Sequence, residues 1–373
     1  MVKKYHWVEP SGIFYSDEII YFWHSYCNRW LLMKEYLALL QSALGGEISH
    51  DERTGAGTVG VYQQHATFDL AQGFPLVTTK KVFWKAVAEE ALWFLQGQDN
   101  IRPLLQKKVR IWTLDALRYN LKTVINAGVM SVEEVALAKD QAVQARKVLF
   151  DQKIPKEEQI AMFNALMKLP NEIQERFEHR ILEDEEFANK AGKLGPVYGP
   201  QWRGSHGSFA KDQIAILEAE LSRGGSSRRM IVNAWNSTQL DAMALPPCHI
   251  LWQVHVSPQS RKLHLGWYQR SCDTILGIPF NIASYALIAS LLAHTYGYEL
   301  GNITGTFGDL HVYLPHIPAA KEQLDREPRK LPILEIRNKQ KSITEYSSDD
   351  FKILHYDPHP VLENPTPMFG GLF

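Results

Sequence analysis

Apolar and polar residues follow two different periods along the first hundred residues of the chain. Around residues 30–43 the apolar side chains recur at helical spacing and two glycines follow, which predicts an amphipathic helix with a glycine stop. The next segment alternates on both sides of Gln63, which is typical of a hairpin. A second helix is predicted to run from a threonine cap at Thr78 or Thr79 to Gly97.

Glu90 lies on the apolar stripe of this second helix. Phe83, Val87 and Phe94 share its face, so its carboxyl group is expected among buried side chains. Burial disfavours the charged form and raises the pKa of a carboxyl group toward the range that is useful for proton transfer. The alternative is a structural ion pair between Glu90 and an arginine.

Charged and apolar residues alternate at helical spacing over about residues 118–192, which predicts a helical insert. Ser131 opens a capping-box pattern at the start of one helix, and Pro155 marks the entry to another. We expect this insert to be structural. It interrupts a main domain of residues 29–373, which follows an N-terminal extension of residues 1–28.

The carboxyl-terminal half combines strand-like segments with one long apolar helix. β-Branched and aromatic residues predict strands at residues 229–236, 249–257, 261–269 and 331–337. Before the last of these, the apolar run from Ile282 to Leu292 repeats at helical spacing. Asn281 falls in the first turn of this helix.

The composition limits the possible functions. A chain of 373 residues with 45% hydrophobic and 22% charged residues is long enough to bury a large core. Its formal net charge of -1 provides no bulk attraction to nucleic acid or to an anionic membrane, so a small substrate is expected. The sequence contains no CxxC or HExxH pattern, and no metal site is predicted.

The amino terminus and the cysteines bear on the compartment. The sequence starts without the apolar core of a secretory signal, and charges interrupt residues 13–44 too often for a membrane span of about 20 apolar residues. Cys27, Cys248 and Cys272 are odd in number and lack a disulfide spacing, which indicates a reducing compartment. We expect a soluble, cytoplasmic protein.

Cys248 and nearby arginines form a pattern that indicates thiolate chemistry. Cys248 follows two prolines, and Arg228, Arg229 and Arg270 belong to the same stretch, residues 226–285. A thiol with an ordinary pKa of about 8.5 is mostly protonated at neutral pH, so positive neighbours are needed to form the nucleophilic thiolate. The alternative is a buried structural cysteine.

Several long motifs resemble those of the thymidylate synthase family and stand in the same order. They are RRMIVNAWN, MALPPCH, YQRSCD, LGIPFNIASYAL and GDLHVY, and flanking matches extend the resemblance over roughly residues 45–115 and 180–362. The resemblance implies an α+β fold, in which a large mixed β-sheet is packed with helices. It also implies a homodimeric enzyme that acts on deoxyuridylate (dUMP) with 5,10-methylenetetrahydrofolate as co-substrate.

The resemblance also implies a role for each matching residue. Cys248 would add to C6 of the uracil ring, while Glu90, Tyr198, His249 and ordered water would move the protons. The dUMP-binding residues that it implies are Arg53, Arg228, Arg229, Arg270, Ser271, Asp273, Asn281, His311 and Tyr313. Of these, Arg228 and Arg229 would reach into the phosphate site of the partner subunit. The folate-binding residues that it implies are Trp112, Leu245, Asp273 and Phe373.

Asn281, which the resemblance also places among the catalytic residues, bears on the choice of base. Uracil presents an N3–H donor beside the O4 acceptor, whereas cytosine presents an acceptor beside a donor. A carboxamide accepts from N3–H and donates to O4 at the same time, and a site that leaves buried polar groups unpaired is penalised. Asn281 therefore predicts dUMP as the substrate.

Two departures from the usual family pattern bear on the product. Thr113, Leu114 and Asp115 follow Trp112 where many bacterial synthases have Asp-Glu-Trp, and the sequence ends in PMFGGLF where they have a short aliphatic tail. Both changes are expected to admit water to a methylene group at C5 of the nucleotide. We therefore expect a hydroxymethylase that makes 5-hydroxymethyl-dUMP, as in phages that replace thymine. The alternative is a thymidylate synthase, and a remote one is an inactive relative that only binds.

Overall fold

The computed structural model of the chain describes residues 33–50, 56–151, 153–205 and 211–363. The helices in the first half are α1 (Lys34–Leu44), α2 (Trp84–Leu95), α3 (Arg102–Gln106), α4 (Thr113–Tyr119), α5 (Leu121–Asn126), α6 (Val132–Phe150), α7 (Lys156–Leu166), α8 (Lys168–Glu183) and α9 (Glu185–Ala191). The later helices are α10 (Gly199–Trp202), α11 (Gln213–Ser222), α12 (Gly277–Tyr296) and α13 (Ile317–Leu324). The strands are β1 (Glu47–Ser49), β2 (Thr58–Asp69), β3 (Ile231–Asn233), β4 (His249–Val256), β5 (Lys262–Asp273), β6 (Glu299–Tyr313), β7 (Ile333–Ile336) and β8 (Phe351–Leu354).

Six of the described strands form one mixed sheet in the order β1-β2-β6-β5-β4-β3. Its neighbouring strands are antiparallel except for β5 and β6, which run parallel. A parallel pair needs a crossover connection, and helix α12 provides it. Strands β7 and β8 form a separate antiparallel pair. The large mixed sheet with its many helices confirms the predicted α+β class.

Helix α12 lies at the centre of the core, where it packs on β5, β6 and α2. Its length and composition would allow it to span a membrane, with a mean hydropathy of 1.3, and it is the one helix in the described ranges of which this is true. However, 72% of its apolar window is buried inside the structure. An all-round apolar helix of this kind is expected in the core of a large domain. Asn281 is the fifth residue of the helix, just beyond the first turn, and is only partly buried.

The hairpin predicted around Gln63 is wrong. Residues 58–69 form the single strand β2, which pairs along its whole length with β6. Gln63 takes a left-handed backbone with φ 55°, but the register against β6 is the same at Tyr62 and at Gln64. The local irregularity therefore does not reverse the chain.

Helix α2 also begins later than predicted. Thr78 and Thr79 do not cap it, because both are buried and bond to distant parts of the chain. Phe83 holds the N-cap position and is 52% exposed, so the buried stripe contains Val87 and Phe94 but not Phe83. The helix ends just before Gly97, as predicted.

The segment predicted as an insert, about residues 118–192, begins at the end of α4 and carries helices α5 to α9. Ser131 caps α6 in a complete capping box with Glu134, and α7 begins directly after Pro155. Phe177 on α8 is fully buried, and α8 packs against α3 and α4. The boundaries of the domain and of the insert stay a prediction.

Some predicted features lie outside the described residues. They are the N-terminal extension of residues 1–28 with Cys27, the phosphate ligand Arg53 and the folate contact Phe373.

Candidate active site

The predicted nucleophile lies at the end of a loop that leads into β4. We call residues 240–248 the thiol loop. It begins with a short 3-10 turn and ends at the partly buried Cys248, directly before His249. Pro246 and Pro247 have no backbone N–H, so this part of the loop cannot donate to a neighbouring strand.

Arg270 on β5 holds the end of the thiol loop. Its guanidinium donates to the carbonyl oxygens of Pro246 and Pro247, both at 2.9 Å. Its backbone N–H donates to the carbonyl oxygen of Cys248 at 2.8 Å. The positive neighbour predicted for the thiol therefore lies next to the loop that carries it.

Tyr198 contacts the backbone of the nucleophile. The N–H of Cys248 donates to the Tyr198 hydroxyl at 2.7 Å, and the Tyr198 ring stacks on His249 with 4.3 Å between ring centres. Tyr198 has a φ of 46°, which is uncommon for a residue with a side chain and is found at strained functional positions. Burial and the nearby Cys248 raise the pKa of Tyr198 well above its ordinary value, so the hydroxyl keeps its proton.

His249 begins β4 as a neutral imidazole. Burial lowers its pKa to about 3, so the ring carries no charge at neutral pH. Its Nδ1 is hydrogen bonded to the hydroxyl of Tyr285 at 2.7 Å. The sequence argument missed Tyr285, although it lies four residues after Asn281 and hence on the same face of α12.

Glu90 has the environment that was predicted for a proton-transfer group. Its carboxyl is partly buried on α2, and Nε1 of Trp112 donates to its Oε1 at 2.8 Å. Burial raises the pKa of Glu90 to about 7, and the bond from Trp112 opposes part of this rise. The neighbouring Glu89 forms the structural ion pair instead, with Lys107 at 2.5 Å. The ion pair with an arginine that was considered as the alternative for Glu90 is not seen among the described residues, and Glu89 pairs with a lysine.

The amide of Asn281 is held by Gln269 of β5. Gln269 Nε2 donates to Asn281 Oδ1 at 3.0 Å and to the carbonyl oxygen of Ser271 at 3.1 Å. Gln269 is 2% exposed, and its own Oε1 is buried without a hydrogen-bond partner in the described part of the chain. Such an orphaned acceptor calls for a ligand or an ordered water. The sequence argument missed Gln269, although it directly precedes Arg270 in the YQRSCD motif.

Asp273 stabilises the turn between β5 and α12. Its Oδ1 accepts from the N–H groups of Ile275 at 2.9 Å and Leu276 at 3.1 Å. The buried Lys80 donates to the carbonyl oxygen of Ile275. Burial lowers the pKa of Lys80 to about 8, and the nearby Asp273 opposes part of this fall. Lys80 was also missed, since nothing in its TTKK context marks it as buried.

His311 and Tyr313 lie two residues apart at the end of β6, as predicted. Their rings are 5.3 Å apart, and Nδ1 of His311 lies 3.0 Å from the carboxylate of Asp309. Burial alone would lower the pKa of His311. The bond to Asp309 and the charge of Asp273 more than offset this, so the pKa of His311 is raised.

Arg228 and Arg229 lie just before β3 and are exposed. In the described ranges neither side chain has an ion-pair partner, and no hydrogen bond joins them to Cys248. The carbonyl oxygen of Arg228 accepts from Gln253 at 3.2 Å, which fixes the backbone. Exposed guanidinium groups on a fixed backbone are available to an anion or to a second chain.

Two of the residues predicted to face the folate, Trp112 and Leu245, border the same cluster. Trp112 is 8% exposed, and its ring centre lies 6.1 Å from that of Tyr198. Leu245 is partly buried within the thiol loop. Helix α4 begins directly after Trp112, and burial raises the pKa of its Asp115 to about 6, although the guanidinium of Arg118 at 2.6 Å opposes the rise.

The structure therefore brings Cys248, Tyr198, His249 and Glu90 together, with Arg270 beside them. The N–H of Cys248 donates to the Tyr198 hydroxyl, and Trp112 links Glu90 to the same group, because its indole donates to Glu90 and its ring centre lies 6.1 Å from that of Tyr198. Within the described residues, no group of three or more His, Cys, Asp or Glu side chains could hold a metal ion. The cluster suits covalent addition by a thiolate followed by proton transfer.

A comparison with protein families matches residues 34–367 to the model described as thymidylate synthase. The chain belongs to the thymidylate synthase family. Two similar relatives are proteins named thymidylate synthase from Listeria monocytogenes serotype 4b, strains CLIP80459 and F2365. Each is 41% identical over 335 residues, which cover 89% of this chain and 99% of the relative.

The thymidylate synthase match includes the helical segment α4 to α9 as well as the six-stranded sheet. It confirms the family that the motifs indicated. The relatives carry the name of the synthase, so the expectation of a hydroxymethylase is not confirmed and the stated alternative agrees with these names. The roles of the individual residues stay predictions.

Proposed function

We propose that the chain is a thymidylate synthase, which converts dUMP and 5,10-methylenetetrahydrofolate to thymidylate and dihydrofolate. The covalent chemistry is supported by the cluster in which the Tyr198 hydroxyl accepts from the N–H of Cys248, next to the neutral His249 and to Glu90, whose pKa is raised. The names of the two relatives support the same reaction.

Cys248 acts as the nucleophile in this proposal. Its thiolate adds to C6 of the uracil ring, which makes C5 electron-rich and able to attack the one-carbon unit. Arg270 and Tyr198 hold the backbone on either side of the thiol through the carbonyl and the N–H of Cys248. The folate supplies the one-carbon unit and the hydride when it is bound.

Glu90 removes the proton from C5 after the one-carbon unit has been added. A carboxyl group with a pKa of about 7 is ionised in about half of the molecules at neutral pH, which suits a base that must later be protonated. His249 is neutral at that pH and orders the water beside it. Tyr198 keeps its proton and donates to groups near C5.

Asn281 reads the uracil ring, and Gln269 positions it. The bond from Gln269 occupies one lone pair of Asn281 Oδ1, which leaves the second for N3–H of uracil and directs Nδ2 to O4. The orphaned Oε1 of Gln269 accepts from an ordered water or from the ring. This pattern rejects cytosine, whose donor and acceptor are exchanged.

The phosphate of dUMP is bound by arginines from two subunits. Arg270 and Ser271 come from one chain, together with Arg53, while Arg228 and Arg229 come from its partner. Thymidylate synthases are generally dimeric, and the exposure of the Arg228-Arg229 pair agrees with a role across an interface. His311 and Tyr313 hold the sugar hydroxyl.

Trp112, Leu245, Asp273 and Phe373 bind the folate in this proposal. The indole N–H of Trp112 donates to Glu90, and this bond fixes the orientation of the ring for stacking on the folate. A cytoplasmic location is expected for an enzyme of this kind.

Hydroxymethylation is the second candidate, and one observation favours it. Asp115 lies one helical turn after Trp112, and its carboxyl group is partly buried. Many bacterial synthases have a tryptophan at this position, whose apolar ring would exclude water. Water bound there would add to the C5 methylene and give 5-hydroxymethyl-dUMP with release of tetrahydrofolate.

Product analysis separates these candidates. Enzyme, dUMP and methylenetetrahydrofolate are incubated, the nucleotide is measured by mass spectrometry, and dihydrofolate is followed by absorbance. Thymidylate that forms in step with dihydrofolate is the expected result. A nucleotide heavier by one oxygen, without dihydrofolate, would refute the synthase and support the hydroxymethylase. If neither product forms, the inactive relative is the remaining explanation.

A further inference from the structure

The thiol loop is held mainly through its carbonyl oxygens. At the end next to Cys248, the guanidinium of Arg270 donates to the carbonyl oxygens of Pro246 and Pro247. Pro246 and Pro247 contribute no N–H of their own, and the middle of the loop also accepts from donors outside it. The end of helix α4 provides them.

Arg118 and Tyr119 are the last two residues of α4, and both donate to the thiol loop. Nη2 of Arg118 lies 3.2 Å from the carbonyl oxygen of Ala244, and the Tyr119 hydroxyl lies 2.8 Å from that of Ala242. Asp115 orients the arginine from one turn earlier, with 2.6 Å between Oδ1 and Nη2. The two bonds therefore come from a preorganised helix end.

Gly195 allows the loop to approach so closely. Its φ is 75°, and a Cβ atom there would lie 2.0 Å from the carbonyl oxygen of Ala242. The neighbouring Leu194 carbonyl accepts from the N–H of Ala244 at 2.9 Å. The middle of the thiol loop is thus fixed on two sides, by α4 and by residues 194–195.

The other end of helix α4 is joined to the proton-transfer group. Trp112 occupies its N-cap position, and the indole donates to Glu90. One seven-residue helix thus contacts both the residue proposed to move the proton and the loop that carries the thiol.

We propose that Arg118 is a positioning residue, which sets the distance between Cys248 and Glu90 by tying the middle of the thiol loop to helix α4. The catalytic part of this inference rests on the proposed function. The loop anchoring itself does not, since it concerns the protein without substrate. Asp115 takes part by orienting Arg118. The departure from Asp-Glu-Trp at residues 113–115 therefore has a structural role in this chain.

The test compares Arg118→Ala and Arg118→Lys with Arg180→Ala in the full-length protein. Arg180 is a matched control, because it forms an ion pair of the same kind with Asp184 on the surface of the insert and contacts no part of the thiol loop. Three quantities are measured: amide hydrogen exchange of residues 241–245, the Kd for dUMP, and kcat with KM for the reaction.

Arg118→Ala is expected to speed exchange of the loop amides and to lower kcat about tenfold, the effect of one lost hydrogen bond to a charged donor. The Kd for dUMP should change by less than about twofold, since the phosphate ligands are untouched. Arg118→Lys should restore part of kcat, because an ammonium group can still donate to the Ala244 carbonyl. Arg180→Ala should leave all three quantities as in the wild type.

Loop exchange equal to that of Arg180→Ala would overturn the inference, and so would a fall in kcat without faster exchange. If Arg118→Ala does not fold, Arg118→Met keeps the length of the side chain but removes its donors to Asp115 and Ala244, and loop exchange equal to that of Arg180→Ala in this variant would also overturn the inference. A wild-type protein that forms neither product would refute the proposed function, while exchange, which needs no substrate, would still test the anchoring.

Discussion

The free energy needed to hold Glu90 in its buried position can be measured by replacing it with glutamine. In the folded chain its pKa rises from 4.5 to about 7. Each tenfold change in proton affinity corresponds to ~1.4 kcal/mol, so the ionised carboxylate destabilises the folded state by ~3 kcal/mol. Because the folded pKa is the higher one, this penalty is absent below about pH 4.5 and complete above about pH 7.

Glu90→Gln preserves the shape of the side chain and the acceptor for Trp112, but it removes the charge. Urea unfolding is measured at pH 5 and pH 8 at one protein concentration, since the stability of a dimer depends on concentration. We expect the variant to be more stable than the wild type by ~3 kcal/mol at pH 8 and by less than ~1 kcal/mol at pH 5. Its turnover should fall by about 10²–10⁴ because the base is lost.

Glu89→Gln is the matched control, since Glu89 lies next to Glu90 on the same helix and is also buried. Its carboxylate is paired with Lys107, so removing it should destabilise the protein at pH 8. The reasoning about Glu90 would be refuted if Glu90→Gln were no more stable than the wild type at pH 8. It would also be refuted if the gain were the same at both pH values.

Four further predictions concern the site. Cys248→Ser should abolish turnover and keep dUMP binding, as measured by calorimetry, because only the nucleophile is lost; turnover near the wild-type rate would exclude the covalent route. Asn281→Asp should shift the ratio of kcat/KM from dUMP toward deoxycytidylate, and an unchanged ratio would show that Asn281 does not read the base. Mixed Arg228→Ala and Cys248→Ser subunits should regain activity if each site is shared, whereas no recovery after proven exchange would indicate self-contained sites. Trp112→Phe removes the donor that lowers the pKa of Glu90, so the acid limb of the pH–rate profile should move to higher pH; an unmoved limb would show that Glu90 does not control it.

Sequence periodicity placed Glu90 on an apolar stripe, although burial on α2 extends around the whole helix and includes Glu89. Val87 and Phe94 are buried on that face, and the carboxyl group has the raised pKa expected among them. The capping box at Ser131 was predictable because both of its bonds join residues three apart. Sequence patterns within one helix therefore predict contacts between residues that are close in the sequence.

The errors have a common physical cause, which is pairing between distant parts of the chain. β2 was taken for a hairpin because its partner β6 lies more than 200 residues away and leaves no local signal. Thr78 bonds to Arg329, which a helix-cap pattern cannot anticipate. Gln269 and Tyr285 were missed since their partners, Asn281 and His249, are brought to them only by the folded sheet and α12.

The pairing of β2 with β6 also matters while the chain is being synthesised. β2 is twelve residues long, and its partners in the sheet are the three-residue β1 and the much later β6. At about 5–20 residues per second, β2 would leave the ribosome roughly 10–50 s before β6. During that time one edge of a long strand is unpaired and open to other nascent chains. We therefore expect the newly made protein to need a chaperone until residue 313 has emerged, and fragments that end before β6 to aggregate.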